Sequence, residues 1–439
     1  MNAQRLMVLG FGTAAMLVGS APSRATWSIV LVDSQTKEVA IASVTCLNNF
    51  DLLALTPVTL VGIGAGVVQA AGDFDGIRRP IIHDQLLMGT PPAQILTILA
   101  QVPGHQQRQY GIVNAVGQAV TFTGTQNGQW AGGVTGNIGT LYYAVQGNVL
   151  AGGCVVSAAV SALQNTSGDV PAKLMAGMQA ARMAGGDGRC SCSPNNPAGC
   201  GCPPPAFVKS GHIGYMVTAR IGDTDDPICN VNGCSDGLYF MKFDVAFQPS
   251  SAPDPVVQLQ NLFDAWRANL VGRPDAIQST AVFDVASLPP NGTATANLTV
   301  VLRDWQGLPI SVPIQSVAYG HGPGTAGSST IGPLVDLGGG MYSITITAGT
   351  IIGTDHFRIT VNDGIRPVTL MPDPILNIRF GDFGGDGDVD LTEYATFAAC
   401  LSGPTATVSD DCSAADLDGD ADADLKECAA FGVSFTGAP

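Results

Sequence analysis

The sequence has few charged residues, and basic ones are the scarcest. Of 439 residues only 12% are charged, and 19 Lys and Arg stand against 35 Asp and Glu, which gives a formal charge of -16. This low charge content excludes a coiled coil and a charge-rich disordered chain. The acidic balance also excludes nucleic acid as a partner, because phosphates are repelled by such a surface.

Several enzyme and membrane signatures are absent as well. The sequence has no His-Glu-x-x-His motif, no Walker phosphate loop and no Gly-x-Ser-x-Gly elbow, and its five His are scattered. The Gly-rich run 62–66 lacks the third Gly and the acidic residue of a dinucleotide site, so it predicts a core strand. The apolar run 6–19 is shorter than the ~20 residues that span a bilayer, so no transmembrane segment is expected.

Residues 1–25 are typical of an export signal. Arg5 precedes the apolar run, and Ser23 and Ala25 occupy the small-residue positions before a cleavage site. Cleavage after Ala25 makes Thr26 the N-terminal residue of the mature protein. We therefore expect a secreted or cell-surface protein in an oxidising compartment.

The cysteines are interpreted in that compartment. The segment CSCSPNNPAGCGCPPP holds two Cys-x-Cys pairs that could bind zinc as four thiolates, but disulfides are favoured in an exported loop. The pairing stays open, and the odd total of 11 leaves at least one thiol free or paired between chains. The disulfide candidates are Cys190, Cys192, Cys200, Cys202, Cys229, Cys234, Cys400 and Cys412.

Residues 26–272 predict a layered α+β domain with a Cys-rich insertion near 190–204. Two apolar runs around the turn 33–37 predict a hairpin of buried strands. Helical patterns follow Pro92 and cover about 172–183 and 256–270. Helices that are segregated from antiparallel strands form separate layers.

Residues 273–374 predict an all-β sandwich. Short alternating strands lie between Gly, Pro and Asn turns, and no helical period is present. The strand Gly-Met-Tyr-Ser-Ile-Thr-Ile and the turn Arg-Asp-Trp-Gln-Gly-Leu-Pro resemble bacterial immunoglobulin-like domains of cell-surface proteins. The resemblance implies a spacer or adhesive module.

Residues 375–439 carry two acidic loops of twelve residues, DFGGDGDVDLTE and DLDGDADADLKE. Alternating carboxylates and a final Glu supply the oxygen ligands that calcium requires, so each loop predicts a calcium site. Gly384 at position 3 of the first loop and Ala421 at position 6 of the second are expected to weaken their sites. The candidate ligands are Asp382, Asp386, Asp388, Asp390 and Glu393 in the first loop, and Asp416, Asp418, Asp420, Asp422, Asp424 and Glu427 in the second.

The two loops, each followed by a short helix, resemble the dockerin type I repeat pair over residues 381–434. The resemblance implies a small α domain that attaches the protein to a surface or to a cohesin-like partner. A disulfide between Cys400 and Cys412 would close the connection between the repeats. The alternative is a solvated acidic tail without metal.

Residues 26–272 resemble a bacterial family known as domain of unknown function 1028, which is grouped by fold with the N-terminal-nucleophile (Ntn) hydrolases. The resemblance rests on Thr26-Trp-Ser-Ile-Val, on residues 143–152, on Gly185-Gly-Asp187 with Arg189, and on Pro253-Asp-Pro255. It implies a four-layer αββα fold without an established substrate.

An N-terminal Thr suits that resemblance chemically. Its hydroxyl is a weak nucleophile, but an α-amine with a pKa of about 7.7–8.0 can act as its base. We predict an amidohydrolase with Thr26 as nucleophile, supported by Ser43 and by Asn148, whose segment could supply oxyanion donors. The alternative is an inactive Ntn-fold surface protein, because no Lys lies between Lys37 and Lys173 and no acid ends the second strand.

Overall fold

The computed structural model describes residues 26–384, 386–404, 406–417 and 420–436. The predicted export signal, residues 1–25, and the predicted ligand Asp418 lie outside the described residues. Across the described ranges, no helix combines the length and the apolar character that crossing a membrane requires.

The N-terminal domain contains ten strands and six helices. Its strands are β1 Thr26–Asp33, β2 Val39–Thr45, β3 Pro57–Leu60, β4 Gly64–Ala70, β5 Arg108–Asn114, β6 Gln118–Thr123, β7 Ala131–Ile138, β8 Leu141–Asn148, β9 Ile213–Ala219 and β10 Met241–Val245. Its helices are α1 Arg78–Leu87, α2 Pro92–Leu99, α3 Cys154–Asn165, α4 Val170–Met183, α5 Gly188–Ser191 and α6 Pro255–Ala268.

The strands form two antiparallel sheets between helices. One sheet has the order β10-β9-β2-β1-β8-β7, and the other has the order β3-β4-β5-β6. One apolar core joins the first sheet to α3, α4 and α6, a second lies between the sheets, and a third joins the second sheet to α1 and α2. The layers are therefore helix, sheet, sheet and helix.

Strand β1 shows how the sequence sets these layers, because alternate side chains of a strand face opposite sides. Trp27, Ile29 and Leu31 belong to the core under the helices, whereas Val30 and Val32 belong to the core between the sheets. The same alternation places Thr26 and Ser28 on the side between the sheets.

Five disulfides are present, and they confirm disulfides over a zinc site in the Cys-rich segment. Two bridges leave the predicted cluster, since Cys190 pairs with Cys46 and Cys202 pairs with Cys154. The two distant partners, Cys46 and Cys154, are not among the predicted disulfide candidates. The remaining bridges are Cys192–Cys200, Cys229–Cys234 and the predicted Cys400–Cys412, and Cys428 is free.

The second domain is a sandwich of two sheets. Its strands are β11 Thr280–Phe283, β12 Ser287–Leu288, β13 Thr295–Val301, β14 Ser316–His321, β15 Thr330–Gly338, β16 Met341–Thr347, β17 Gly353–Asn362, β18 Pro367–Thr369 and β19 Ile375–Ile378. The sheet orders are β11-β13-β16-β15 and β12-β19-β17-β14, with β18 on β17. The sandwich extends beyond the predicted boundary at residue 374, because β19 pairs with β17 and β12 and so belongs to it.

A buried ion cluster joins the first two domains. The Arg220 guanidinium is 2.7 Å from a Glu38 carboxylate oxygen and 2.7 Å from an Asp275 carboxylate oxygen, and it lies over the Phe240 ring. Arg366 of the sandwich also pairs with Asp223 of the first domain. Because breaking a buried pair leaves an uncompensated charge, these contacts hold the sandwich against the layered domain.

The C-terminal domain consists of α7 Leu391–Cys400 and α8 Leu425–Ser434, with a 3-10 turn at Asp410–Ala415 between them. A small aromatic core joins the two halves, and the Phe397 and Phe431 rings stack with their centroids 4.9 Å apart.

Candidate functional site

Thr26 is the first residue of β1, a central strand of the six-stranded sheet that pairs with β2 on one side and with β8 on the other. It lies opposite Asn148 and is 4% exposed. Its backbone nitrogen donates to Asn148 Oδ1 at 3.2 Å, and its carbonyl accepts from Gln69 Nε2 at 3.0 Å. Two side chains from different strands therefore fix the main chain of Thr26.

Buried neutral side chains continue these contacts between the sheets. Gln69 Oε1 accepts from Ser28 Oγ at 2.7 Å, and Ser28 Oγ in turn accepts from Gln146 Nε2 at 2.6 Å. Gln69 Nε2 also donates to Gln109 Oε1 at 2.6 Å. Burying amides requires such partners, and here they order the end of the sandwich around Thr26. We call this set the Thr26 network; it comprises Thr26, Ser28, Gln69, Gln109, Gln146 and Asn148.

The structure brings Thr26 and Asn148 together but uses Ser43 differently. Ser43 lies on β2 opposite Ser28, and its hydroxyl donates to the Trp27 carbonyl at 2.9 Å. Sequence reasoning missed Gln109. The available sequence signal was the presence of one Gln in each of two otherwise apolar strands. In the structure these residues, Gln69 and Gln109, lie opposite each other on β4 and β5.

A cavity of about 480 Å³ lies beside the end of β2 that neighbours Thr26. The Cys46–Cys190 disulfide, Arg189, Lys209 and His212 line it. Asp187 is buried and pairs with Arg189 at 2.7 Å, so this arginine is neutralised. Burial lowers the pKa of His212, and the Lys209 charge lowers it further, so His212 is neutral at physiological pH.

At position 6 the two acidic loops have a similar backbone conformation, 34 residues apart. At position 6, Gly387 donates its N–H to Asp382 at 2.8 Å, and Ala421 donates to Asp416 at 2.9 Å. Both residues have a left-handed backbone, with φ of 99° for Gly387 and 70° for Ala421. Ala421 therefore adopts the left-handed turn at position 6 even though it is not glycine.

Each loop then starts its helix with the same cap. Asp390 and Asp424 accept from helix N–H groups, while Glu393 and Glu427 reach back to the N–H of the capping Asp at 3.0 and 2.9 Å. This reciprocal arrangement is a capping box. It holds the last carboxylate of each loop, which is almost fully buried, next to the other acidic groups.

The carboxylates converge in groups that could hold a metal ion. One oxygen from each of Asp382, Asp386 and Glu393 lies within 4.8 Å of the others, as do oxygens of Asp388, Asp390 and Glu393. In the second loop the same holds for Asp422, Asp424 and Glu427. All donors are hard oxygens, which is the donor set that calcium takes.

Position 3 of the first loop lies directly against the carboxylate group, so a side chain there would make Glu393 shift by a few tenths of an ångström. A Cβ built on Gly384 would lie 3.2 Å from Glu393 Oε1 and 4.0 Å from the Asp386 carboxylate carbon. A side chain at residue 384 would therefore point into the carboxylate group.

Fold and site define a modular protein of three parts: a four-layer αββα domain, an immunoglobulin-like sandwich and a duplicated acidic-loop domain. Residues 26–195 match the model of a family of unknown function (DUF1028), and residues 275–370 match domain 3 of invasin. The predicted resemblance of the first domain to DUF1028 is thus confirmed over residues 26–195, and the predicted immunoglobulin-like region is similar to an invasin domain. The dockerin resemblance of the C-terminal domain stays a prediction.

Some solved structures show partial similarity to the chain. A DUF1028 protein from Silicibacter pomeroyi is 18% identical over 55% of this chain and 88% of its own, with a TM-score of 0.38. The adhesin InvE of Yersinia pseudotuberculosis is 29% identical over 23% of this chain and 26% of its own, with a TM-score of 0.20. No curated protein is significantly similar to the chain.

Proposed function

We propose that the chain is an exported, surface-displayed protein whose first domain is an Ntn amidohydrolase with Thr26 as its nucleophile. The observation that carries this proposal is the position of Thr26, which begins a central strand with its nitrogen held at 3.2 Å by Asn148 Oδ1. Five disulfides and the invasin-type sandwich support an extracellular location, because disulfides persist in oxidising compartments.

Removal of the first 25 residues converts the Thr26 amide nitrogen into an amine at the same place. Asn148 Oδ1 then accepts one of its hydrogens and orients the lone pair. The amine takes the proton of the Thr26 hydroxyl, and the oxygen attacks an amide carbonyl of the substrate to form an ester. The leaving amine takes that proton, and water hydrolyses the ester. The cavity beside the Cys46–Cys190 disulfide lies at this end of the sheet, but Thr26 is not one of its lining residues.

Intact-mass analysis of the secreted protein tests this function. We expect a mature chain that begins at Thr26 and gains one adduct from a hydroxyl-directed β-lactone. Thr26→Val, which keeps the shape but removes the hydroxyl, should abolish the adduct, whereas Thr166→Val, at a helix end in the same domain, should not. A different N-terminus, or an adduct that survives in Thr26→Val, refutes the proposal.

The neutrality of the Thr26 network favours a second candidate, an inactive Ntn-fold domain with a binding or structural role. The partners described for the Thr26 backbone are the amides of Asn148 and Gln69, and neither is ionisable. Ser43 donates to the main chain. On this alternative the mature chain still begins at Thr26 but is inert toward the electrophile.

We further propose that the two acidic loops bind calcium and that the C-terminal domain attaches the protein to a surface or cohesin-like partner. The repeated backbone geometry and buried terminal Glu of each loop support calcium. Exposed apolar residues recur at the 34-residue spacing and support a protein partner: Leu391 and Leu425, then Leu401 and Phe435.

Calorimetry of the mature protein tests the calcium proposal. We expect calcium to raise the melting temperature and EDTA to reverse the rise, because a ligand that binds only the folded state stabilises it. Glu393→Gln with Glu427→Gln should remove the response, while Asp84→Asn with Asp264→Asn, which changes two exposed acids of the first domain, should keep it. A response that survives the double substitution, or no response in the wild-type protein, contradicts the proposal.

A further inference from the structure

A second polar group lies on the opposite face of β5 from the Thr26 network. Gln109 faces the other sheet, whereas Arg108 and Tyr110 face the helices. They meet Arg78, the first residue of α1, and His105 of the preceding 3-10 turn. We call Arg78, His105, Arg108 and Tyr110 the arginine cluster.

Several hydrogen-bonding atoms of this cluster are individually buried and lack a full set of partners, although Arg108 as a residue reaches the surface. Arg108 Nε and Nη1 and Arg78 Nε have no hydrogen-bond partner within the described chain, and the Tyr110 hydroxyl interacts only loosely with the Arg78 guanidinium. Arg78 and Tyr110 are themselves almost fully buried. Buried donors that stay unpaired cost free energy, and those of a guanidinium cost more than those of a neutral group.

The nearby carboxylates are already engaged. Asp75 accepts from Arg78 Nη1 at 2.9 and 2.8 Å. Asp73 accepts the N–H groups of Arg78 and Arg79 at the start of α1, both at 3.0 Å, and pairs with the Arg79 side chain. Three guanidinium groups therefore share two carboxylates, and one positive charge is left over at Arg108.

The electrostatics of the cluster favour binding of an anion. Burial lowers the pKa of Arg108, and the Arg78 charge lowers it further, while Tyr110, Asp75 and Asp73 oppose this. Burial raises the pKa of Tyr110 to about 12 despite both arginines, so its hydroxyl remains a donor at neutral pH.

The Arg78 and Arg108 guanidinium groups both lie near Gly104, and Arg78 Nη2 there donates to the Pro103 carbonyl. A Cβ built on Gly104 would lie 3.8 Å from Arg78 Nη2 and 3.9 Å from Arg108 Nη1. His105 stacks on Phe122 with 4.0 Å between the ring centroids and closes one side of the cluster. Arg108 is only partly buried, so a ligand can enter from solvent.

We propose that the arginine cluster binds a small oxyanion, either a carboxylate or a phosphate-type group, between Arg108, Arg78 and the Tyr110 hydroxyl. Arginine forks are matched to such groups, and the anion would supply both the missing charge and the missing acceptors. This site is separate from the Thr26 network and does not depend on the proposed catalysis.

Melting temperatures of the mature protein test the site directly. Phosphate, sulfate and acetate are titrated in a bulky sulfonate buffer at constant ionic strength. We expect a saturating rise with at least one of them; acetate identifies a carboxylate site, and phosphate or sulfate a tetrahedral one. Arg108→Gln should lose the rise, and Arg303→Gln, which changes the net charge equally in the sandwich, should keep it.

Tyr110→Phe provides the second variant, since it removes only the hydroxyl. It should weaken the apparent affinity roughly tenfold, which is the worth of one hydrogen bond to a charged group. If no anion gives a saturating rise, or if Arg108→Gln responds as the wild-type protein does, water alone fills the cluster and the proposal is overturned.

Discussion

Replacing Ala421 by Gly should stabilise the C-terminal domain. Ala421 has φ of 70°, a left-handed backbone that costs a residue with a Cβ roughly 1–2 kcal/mol. Glycine has no such penalty, but it loses more freedom on folding, about 0.4–1 kcal/mol. The net gain should be about 1 kcal/mol, and Gly387 shows that glycine suits this position, with φ of 99°. In a domain of this size the gain corresponds to roughly 4–8 °C in melting temperature.

Calorimetry in saturating calcium measures this shift in the mature protein. Ala429→Gly is the matched control, because Ala429 is exposed inside α8 and the same substitution should cost about 1 kcal/mol there. The two variants should therefore move the transition of this domain in opposite directions. If Ala421→Gly leaves the transition unchanged or lowers it as the control does, the argument from backbone strain is wrong.

Three further substitutions probe the loops and the domain junction. Gly384→Asp should tighten calcium binding at the first loop roughly tenfold by adding a carboxylate ligand, as titration calorimetry will show; unchanged affinity contradicts the geometry at this position. Removing the Cys400–Cys412 bridge should cost about 3 kcal/mol in denaturant unfolding, given its 12-residue separation; a much smaller loss would mean that the unfolded chain is already constrained. Burial raises the pKa of Asp275, but the Arg220 charge outweighs burial and holds this pKa below its usual range. The ionised Asp275 therefore stabilises the fold above the pKa of the unfolded state, and this stabilisation is lost as the pH falls through the pKa of the folded state. Asp275→Asn should make the free energy of unfolding less dependent on pH in that acid range, and an unchanged pH profile refutes this.

Local patterns predicted most of the fold well. The hairpin of β1 and β2 is confirmed, and the helix expected over 172–183 is α4 Val170–Met183. Helix α3 was missed because CVVSAAVSALQN consists mainly of small and β-branched residues. Its stability comes from packing against α4 and the sheet, which a local pattern does not contain.

Distant contacts were not accessible from the sequence. Cys46 and Cys190 are 144 residues apart, and only the fold brings β2 next to α5. The Thr26 network also depends on distant contacts, because Gln69 reaches Thr26 from the opposite sheet and Gln109 in turn accepts a hydrogen bond from Gln69. The acidic loops were different, since all their candidate ligands lie within twelve consecutive residues and their spacing alone indicated the chemistry.

The two halves of the C-terminal domain complete each other. Ser402, just after α7, exchanges hydrogen bonds with Ala423 of the second loop at 3.0 Å. Thr436, just after α8, makes the equivalent pair with Val389 of the first loop at 2.9 Å. Each loop therefore has its backbone fixed by the helix end of the other half. A cation that orders one loop also positions the partner of the other, so binding to the two loops should be cooperative, and strain at Ala421 should weaken both.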